Sequence, residues 1–359
     1  MFNPDPPVPD QDGAGPDPLA LPLPLVPPLT GARDDYIPDL GGTVHHLSGD
    51  AIGTKWHVTY VGDQTGDNDL VFACFYRALN QVIAQMSQWE PTSELSRFNA
   101  ADAGTKMTIS RGFSRVLDCA LVLAQRSNGA FDPALGQESE AWGFGSVEYS
   151  DLPDSENLYR THAPTRWHDI VFDPDGPCLT QTGTIRLDLS GIAKGYAVDL
   201  VSASLRKAGV KHHLVDIGGE LRASGVKPDG QPWWVEVESV PEQTDMPCRI
   251  ALSGWSVATS GDWHRRRKGQ GREWSHTLSA RTGRPVENGN RAVTVLHREA
   301  MQADGLATLL MALPFGEACH FADSQGVPAR ITGSDGPVHS SKAWQAMQSE
   351  NDSGNGEEE

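Results

Sequence analysis

Two spacings of apolar residues alternate along this chain, and they predict its elements. From about Thr43, HHLSGDAIGTKWHVTYVGD reads as two strands, the second carrying Trp56, Val58 and Tyr60 on one face. Between Asn68 and Gln88, Leu70, Val71, Cys74, Leu79, Val82, Ile83 and Met86 recur at helical spacing. A short capped helix is expected over 93–99 and a second amphipathic helix from Ser110 to Ser127. Ile185, Leu187 and Leu189 alternate with Arg186 and Asp188, which predicts a strand end. Ser190 and Gly191 break it, and a helix runs on to about Ala208 with Ser190 as its N-cap. Further strands are expected at 213–219, within 222–237 and 248–259, and at 292–297, the last followed by a helix from about Ala300 to Leu313. Ser146 to Thr182 is polar and turn-rich and reads as surface. The strands within 213–259 predict an antiparallel sheet.

Composition narrows this picture. A chain of 359 residues with 38% hydrophobic content, ten Trp and ten Phe can bury a large core. Its formal net charge of -18 argues against nucleic-acid binding. The one basic run, His264 to Lys268, is more readily a solvated loop than a phosphate contact. Five cysteines, odd in number and without a C-x-x-C pair, indicate neither a disulfide framework nor a zinc site. Residues 1–29 lack a basic start, and proline interrupts their apolar part too often for a signal helix or a membrane span. A disordered proline-rich leader (1–42), a folded domain (43–337) and a disordered acidic tail (338–359) are therefore expected, in a soluble, cytoplasmic protein.

Candidate chemistry lies in a few clusters. In LDLSGIAKGYAVD, 187–199, the amides and dipole of a helix start favour an anion, and Lys194 adds a point charge. Gly191 and Gly195 would admit a close ligand or backbone, although a strand-turn-helix joint with a solvated lysine reads equally well. Asp132-Pro133 favours a turn, and Trp142 and Phe144 between glycines offer either a platform for a flat ring or ordinary packing. His276 is a candidate general base or a structural histidine. Arg281 to Arg284 forms a turn in which Gly283 needs positive φ. Asp304 and Thr308, four apart on one helix, present two hard oxygen ligands that suit Mg²⁺, or a surface polar stripe.

The clusters also follow a recognisable order. SELSRFN (93–99), FDPALG and WGFG (within 131–145), LDLSGIAKGYAVD (187–199), VDIGGEL (215–221), TSGD (259–262), H-x-x-x-x-R-T-G-R-P from His276 and ADGLAT (303–308) together resemble the ApbE family of FAD:protein FMN transferases. The resemblance spans about Asp50 to Leu313 and implies a T-fold-like α+β architecture. It also implies a reaction in which FMN passes from FAD to a threonine or serine hydroxyl of a target protein, with release of AMP. The acceptor would be a redox subunit or domain reached in the cytoplasm. By resemblance, Asp304, Thr308 and the Gly191 carbonyl would hold Mg²⁺, Lys194 would contact the FAD phosphates, and His276 would act as base. Asp188 would hold the nucleotide, while Ala130, Phe131, Asp132 and Leu278 would line the FAD site and Trp89 would stack on it.

Two departures qualify the resemblance. Ile52 stands where the family usually has a methionine in an M-G-T turn that contacts FAD. The family pattern H-x-x-D-P-x-T-G appears as HTLSARTG, so Ser279 and Ala280 leave the base without its carboxylate neighbour. Two other activities use the same inventory: an FAD diphosphatase that yields FMN and AMP, and a non-catalytic FAD-binding protein.

Overall fold

The computed structural model describes residues 24–29, 32–146, 166–241, 248–269, 272–334 and 336–349. Its centre is an antiparallel sheet of eight strands that neighbour one another in chain order. They are β1 (Thr43–Ala51), β2 (Thr54–Gly62), β3 (His213–Ile217), β4 (Glu220–Ser224), β5 (Ser256–Gly261), β6 (Asn290–His297), β7 (Ala329–Gly333) and β8 (Val338–Ser340). Two tight hairpins share one end of this sheet. Ile52 and Gly53 close β1 onto β2 with φ of 46° and 72°, and Gly218 and Gly219 close β3 onto β4 with 67° and 98°. Positive φ at both central residues matches the right-handed twist of the strands, which is why glycine dominates such turns. Ile52 is the exception, a β-branched residue in a conformation its side chain disfavours. The hairpins touch where the Gly218 N–H donates to the Lys55 carbonyl at 3.0 Å.

Among the described residues the α-helices are α1 (Asn68–Met86), α2 (Glu94–Asn99), α3 (Arg111–Arg126), α4 (Gly136–Ala141), α5 (Ser190–Lys207), α6 (Ala300–Ala312), α7 (Phe315–Gln325) and α8 (Lys342–Ser349). Apolar stripes of α1, α3, α5 and α6 form the main core with Trp56, Val58, Val293 and Val295 of the sheet. Side chains alternate across a strand, so Val257 and Leu296 face the other way. There they join a second core built from Trp233, Ile250, Leu252, Trp255 and Trp344. No described helix is long and apolar enough to cross a membrane.

That second core overturns part of the expected disorder. Pro24–Leu25 pairs in parallel with Arg249–Ile250, Leu25 is fully buried, and the Trp255 indole N–H donates to the Pro28 carbonyl at 2.8 Å. In the expected tail, β8 extends the sheet and α8 delivers the fully buried Trp344. Both segments are polar or proline-rich on average, yet each carries one large apolar group that covers the open face of the sheet. Residues 1–23 and 350–359 lie outside the described residues.

Two other expectations need correction. Within Ser146 to Thr182, the stretch 147–165 lies outside the described residues. Val171–Asp173 and Cys178–Thr180 form a small sheet with Lys106–Thr108, which buries Leu179 and Gln181. The 185–189 segment forms no strand, and among the described residues its only strand-like pairing is one bridge from Arg186 to Leu135. Side chains and loops take the place of neighbouring strands. Asn99 accepts from the Leu187 N–H at 2.8 Å and donates to its carbonyl at 2.9 Å, and the Asp188 N–H donates to the Pro133 carbonyl at 2.9 Å. Ser190 is the first helical residue rather than the cap, and its N–H donates to Asp188 Oδ1 at 2.8 Å. A carboxylate two residues upstream thus does the work expected of the serine hydroxyl.

Candidate active site

At the hairpin end of the sheet, the start of α5 meets α6 across a seam of small residues. A Cβ at Gly195 would lie 2.2 Å from the Ala300 carbonyl oxygen, and one at Gly191 would lie 2.8 Å from Thr308 Cγ2. Only glycine permits this approach, and three clasps hold it. The Gly195 N–H donates to Asp304 Oδ2 at 2.8 Å, and the Thr308 hydroxyl donates to the Gly191 carbonyl at 3.1 Å. Asp199 accepts from the Ala300 and Met301 N–H groups at 2.9 Å each, which caps α6. Arg222 holds Asp199 in turn. The pairing of Asp304 with Thr308, expected from their spacing, is therefore completed by Gly191 from the facing helix.

Above the seam lies a cavity of about 290 Å³. It brings together Trp89, Ala130, Phe131, Asp132, Asp188, Gly191, Lys194, His276, Leu278, Asp304 and Thr308, every singled-out residue except Ile52. Ile52 lines an adjoining groove of about 830 Å³ with Leu79, Val82, Ile83, Met86 and Leu95. The two spaces share Gly53, Trp89, Phe144, Asp188, Ser190, Lys194, His264 and Arg265 at their junction. The first space is mixed, with charged and apolar lining residues, and the second is mainly apolar. Trp89 stands 53% exposed between them, as a stacking surface would.

The electrostatics centre on Lys194. Its ammonium lies 2.6 Å from Glu220 Oε2, at the start of β4 directly after the Gly218–Gly219 turn. Burial pushes the Glu220 carboxyl well up, and Lys194 pulls it back. Burial likewise raises Asp304, with Lys194 and the Gly195 N–H opposing. Two buried carboxylates thus face one ammonium. Glu220 had no spacing signal as a site residue, because its contact with Lys194 spans 26 positions.

His276 is pushed down to about 4, first by burial and then by the charges of Arg265 and Lys194. Its Nδ1 faces the Arg265 carbonyl at 3.3 Å, which favours the tautomer that leaves Nε2 with a lone pair. The charged side chains that act on it are cationic, so the missing Asp-Pro of the HTLSARTG block has no evident substitute. Asp132 differs from expectation in another way. Its carboxylate accepts from the N–H groups of Ala134 at 2.8 Å, Arg166 at 2.7 Å and Trp167 at 3.3 Å, so it organises the cavity wall. Burial raises its pKa against those bonds. Of the two aromatics in WGFG, only Phe144 lines the cavity. Trp142 is a tether, its indole N–H donating to the Gly283 carbonyl at 2.8 Å and its ring 5.8 Å edge-on from Trp274.

Known proteins share both the sequence pattern and the architecture. The ApbE family model matches residues 52–331. A protein named FAD:protein FMN transferase from Vibrio cholerae serotype O1 is 34% identical over 288 residues, 79% of this chain and 85% of that protein. One of the same name from Haemophilus influenzae is 32% identical over 290 residues, 78% of this chain and 84% of that protein. The crystal structure of Pseudomonas stutzeri flavinyl transferase ApbE, apo form, superposes with a TM-score of 0.76 at 32% identity, covering 85% of this chain and 97% of that one. The flavin transferase ApbE from Vibrio cholerae gives 0.76 at 31% identity, covering 85% and 99%. With the match spanning most of the folded chain, this protein belongs to the ApbE family.

Proposed function

We propose that this protein transfers FMN from FAD to a threonine or serine hydroxyl of a target protein, forming a phosphoester and releasing AMP. The observation that carries the reading is the joint between the two spaces. A cavity that carries both charged and apolar groups and a mainly apolar groove meet at Lys194, as suits a ligand whose two ring systems are linked by a diphosphate. The names of its relatives favour the same reaction.

Lys194 binds and orients the diphosphate. Trp89 and Phe144 pack against the rings, and the apolar groove excludes water from one side. The acceptor oxygen forms a bond to the phosphorus on the flavin side. The bridging P–O bond breaks, its electron pair leaves with AMP, and the acceptor proton passes to Nε2 of His276. Lysine and histidine are thus the catalytic pair.

The donor set fits Mg²⁺. Asp304, Thr308 and the Gly191 carbonyl are hard oxygens gathered at one seam, where a divalent cation would favour the ionised form of the buried Asp304 carboxyl. Bound there, Mg²⁺ supplies neutralisation of the charge on the phosphate oxygens.

Purified protein incubated with FAD, Mg²⁺ and a threonine-bearing acceptor domain should release AMP in step with covalent flavin on the acceptor. AMP with only free FMN would instead identify a diphosphatase. Uncleaved FAD would mean that Ser279 and Ala280 have left a binding protein.

A further inference from the structure

The basic run His264 to Lys268 is almost wholly spoken for. His264 Nε2 lies 3.2 Å from Glu238, Arg266 Nη2 lies 2.8 Å from Asp262, and Lys268 Nζ lies 3.7 Å from Glu273. Arg267 Nε donates to the Gly143 carbonyl at 3.0 Å. Arg265 differs: among the described residues its guanidinium makes no hydrogen bond or ion pair. Its main chain, by contrast, is held, because its carbonyl accepts from the His276 N–H at 3.1 Å. The side chain lines both the cavity and the apolar groove, and its Nη2 would lie 3.8 Å from a Cβ added at Gly53 on the opposite hairpin. It therefore reaches across the mouth at the junction of the two spaces.

Charge balance shows what belongs there. Asp188, Glu220 and Asp304 line the cavity, and the ammonium of Lys194 is already engaged by Glu220 at 2.6 Å. A diphosphate diester brings about two further negative charges, and with Lys194 engaged, a free side-chain cation at the junction lowers their repulsion with those carboxylates whether or not Mg²⁺ is bound. We infer that Arg265 is a second phosphate-binding side chain, gripping the diphosphate from the hairpin wall while Lys194 grips it from α5. The inference rests on FAD being the substrate. A planar guanidinium can donate to two phosphate oxygens at once, so it orients the group as well as neutralising it. It also selects dinucleotide over unphosphorylated flavin, because only the former fills the junction with charge.

The test is to titrate the unsubstituted protein, Arg265→Ala and Arg265→Lys with FAD and with riboflavin, without added Mg²⁺ so that FAD is not consumed. Arg265→Ala should raise the Kd for FAD about 10- to 100-fold, leave the riboflavin affinity within about twofold, and flatten the salt dependence of FAD binding. Arg265→Lys should recover part of the loss, since charge returns without the fork. An unchanged Kd for FAD in Arg265→Ala would overturn the inference, as would equal weakening for riboflavin, which would mean a change of cleft shape. If the unsubstituted protein binds no FAD, the proposed function fails and the inference fails with it; that case is separable because it does not depend on the substitution.

Discussion

Replacing Asp304 by asparagine separates the proposed metal role of this residue from its structural one. Asp304 is 3% exposed, and its Oδ2 accepts the Gly195 N–H at 2.8 Å. Asparagine keeps the volume and one acceptor, so that clasp survives as a neutral bond, about 1 kcal/mol weaker than a charge-assisted one. Against this, the substitution removes a buried charge whose desolvation already pushes the carboxyl up. The two effects are of similar size and opposite sign, so stability should change by no more than about 1 kcal/mol, a melting shift of about 2–3 °C. Turnover should behave quite differently. Loss of a carboxylate that holds a charge-neutralising cation should cost about 4 kcal/mol of transition-state stabilisation, a fall of about 10³-fold. Urea melts and AMP release, measured on the same preparations across a Mg²⁺ series, give both quantities. Turnover within about tenfold of the parent, with the same Mg²⁺ dependence, would refute the metal assignment. A loss of about 3 kcal/mol in stability would show instead that the residue serves mainly to clasp the helices. Asp304→Ala is the contrasting case, since it orphans the Gly195 N–H and opens a cavity, and should cost about 2–3 kcal/mol.

Gly195→Ala should force α5 and α6 apart, because its Cβ would meet the Ala300 oxygen at 2.2 Å; a loss of about 1–3 kcal/mol in urea melts is expected. Gly316→Ala, whose Cβ meets nothing within 4 Å, should be neutral or slightly stabilising and is the control. The pH profile of kcat/KM should show no His276 limb near 6.5. Because its pKa is lowered to about 4, the imidazole stays neutral and able to accept a proton until pH falls through that value, and a limb at 6.5 absent from His276→Asn would contradict the burial described above. Leu25→Ala should destabilise by about 2–4 kcal/mol in the same melts, as for any fully buried leucine; no change would mean that the early segment does not belong to the second core.

Much of this fold was legible because its elements have local causes. Helix α1 and helix α3 follow from apolar spacing, although Ser110, expected as the first residue of α3, is its cap and accepts from the Phe113 N–H. Gly283 takes the positive φ its turn required, at 66°. The 185–189 segment shows where local reasoning stops. Its alternation is real, with Ile185, Leu187 and Leu189 all buried, but alternation reports burial of one face and not the presence of a strand beside it. Asn99, 88 residues away, supplies the missing partner. The early and late segments failed for a similar reason, since average polarity conceals single anchors such as Leu25 and Trp344.

The sequence by itself determined which chemistry was available. It set a lysine at the start of a helix between two glycines, a carboxylate and a hydroxyl one turn apart on another, and clusters in an order that marks the family. Only the tertiary structure decided which way burial and neighbours shift those groups and which of them line the cavity. Lys194 meets Glu220 because a glycine hairpin returns β4 beneath α5, and Asp132 turns to main-chain amides because a distant loop presents them. Arg265 stands out from four basic neighbours because theirs have partners. Burial and long-range pairing set pKa, orientation and accessibility, and these depend on distances between residues that the order of the chain does not encode locally.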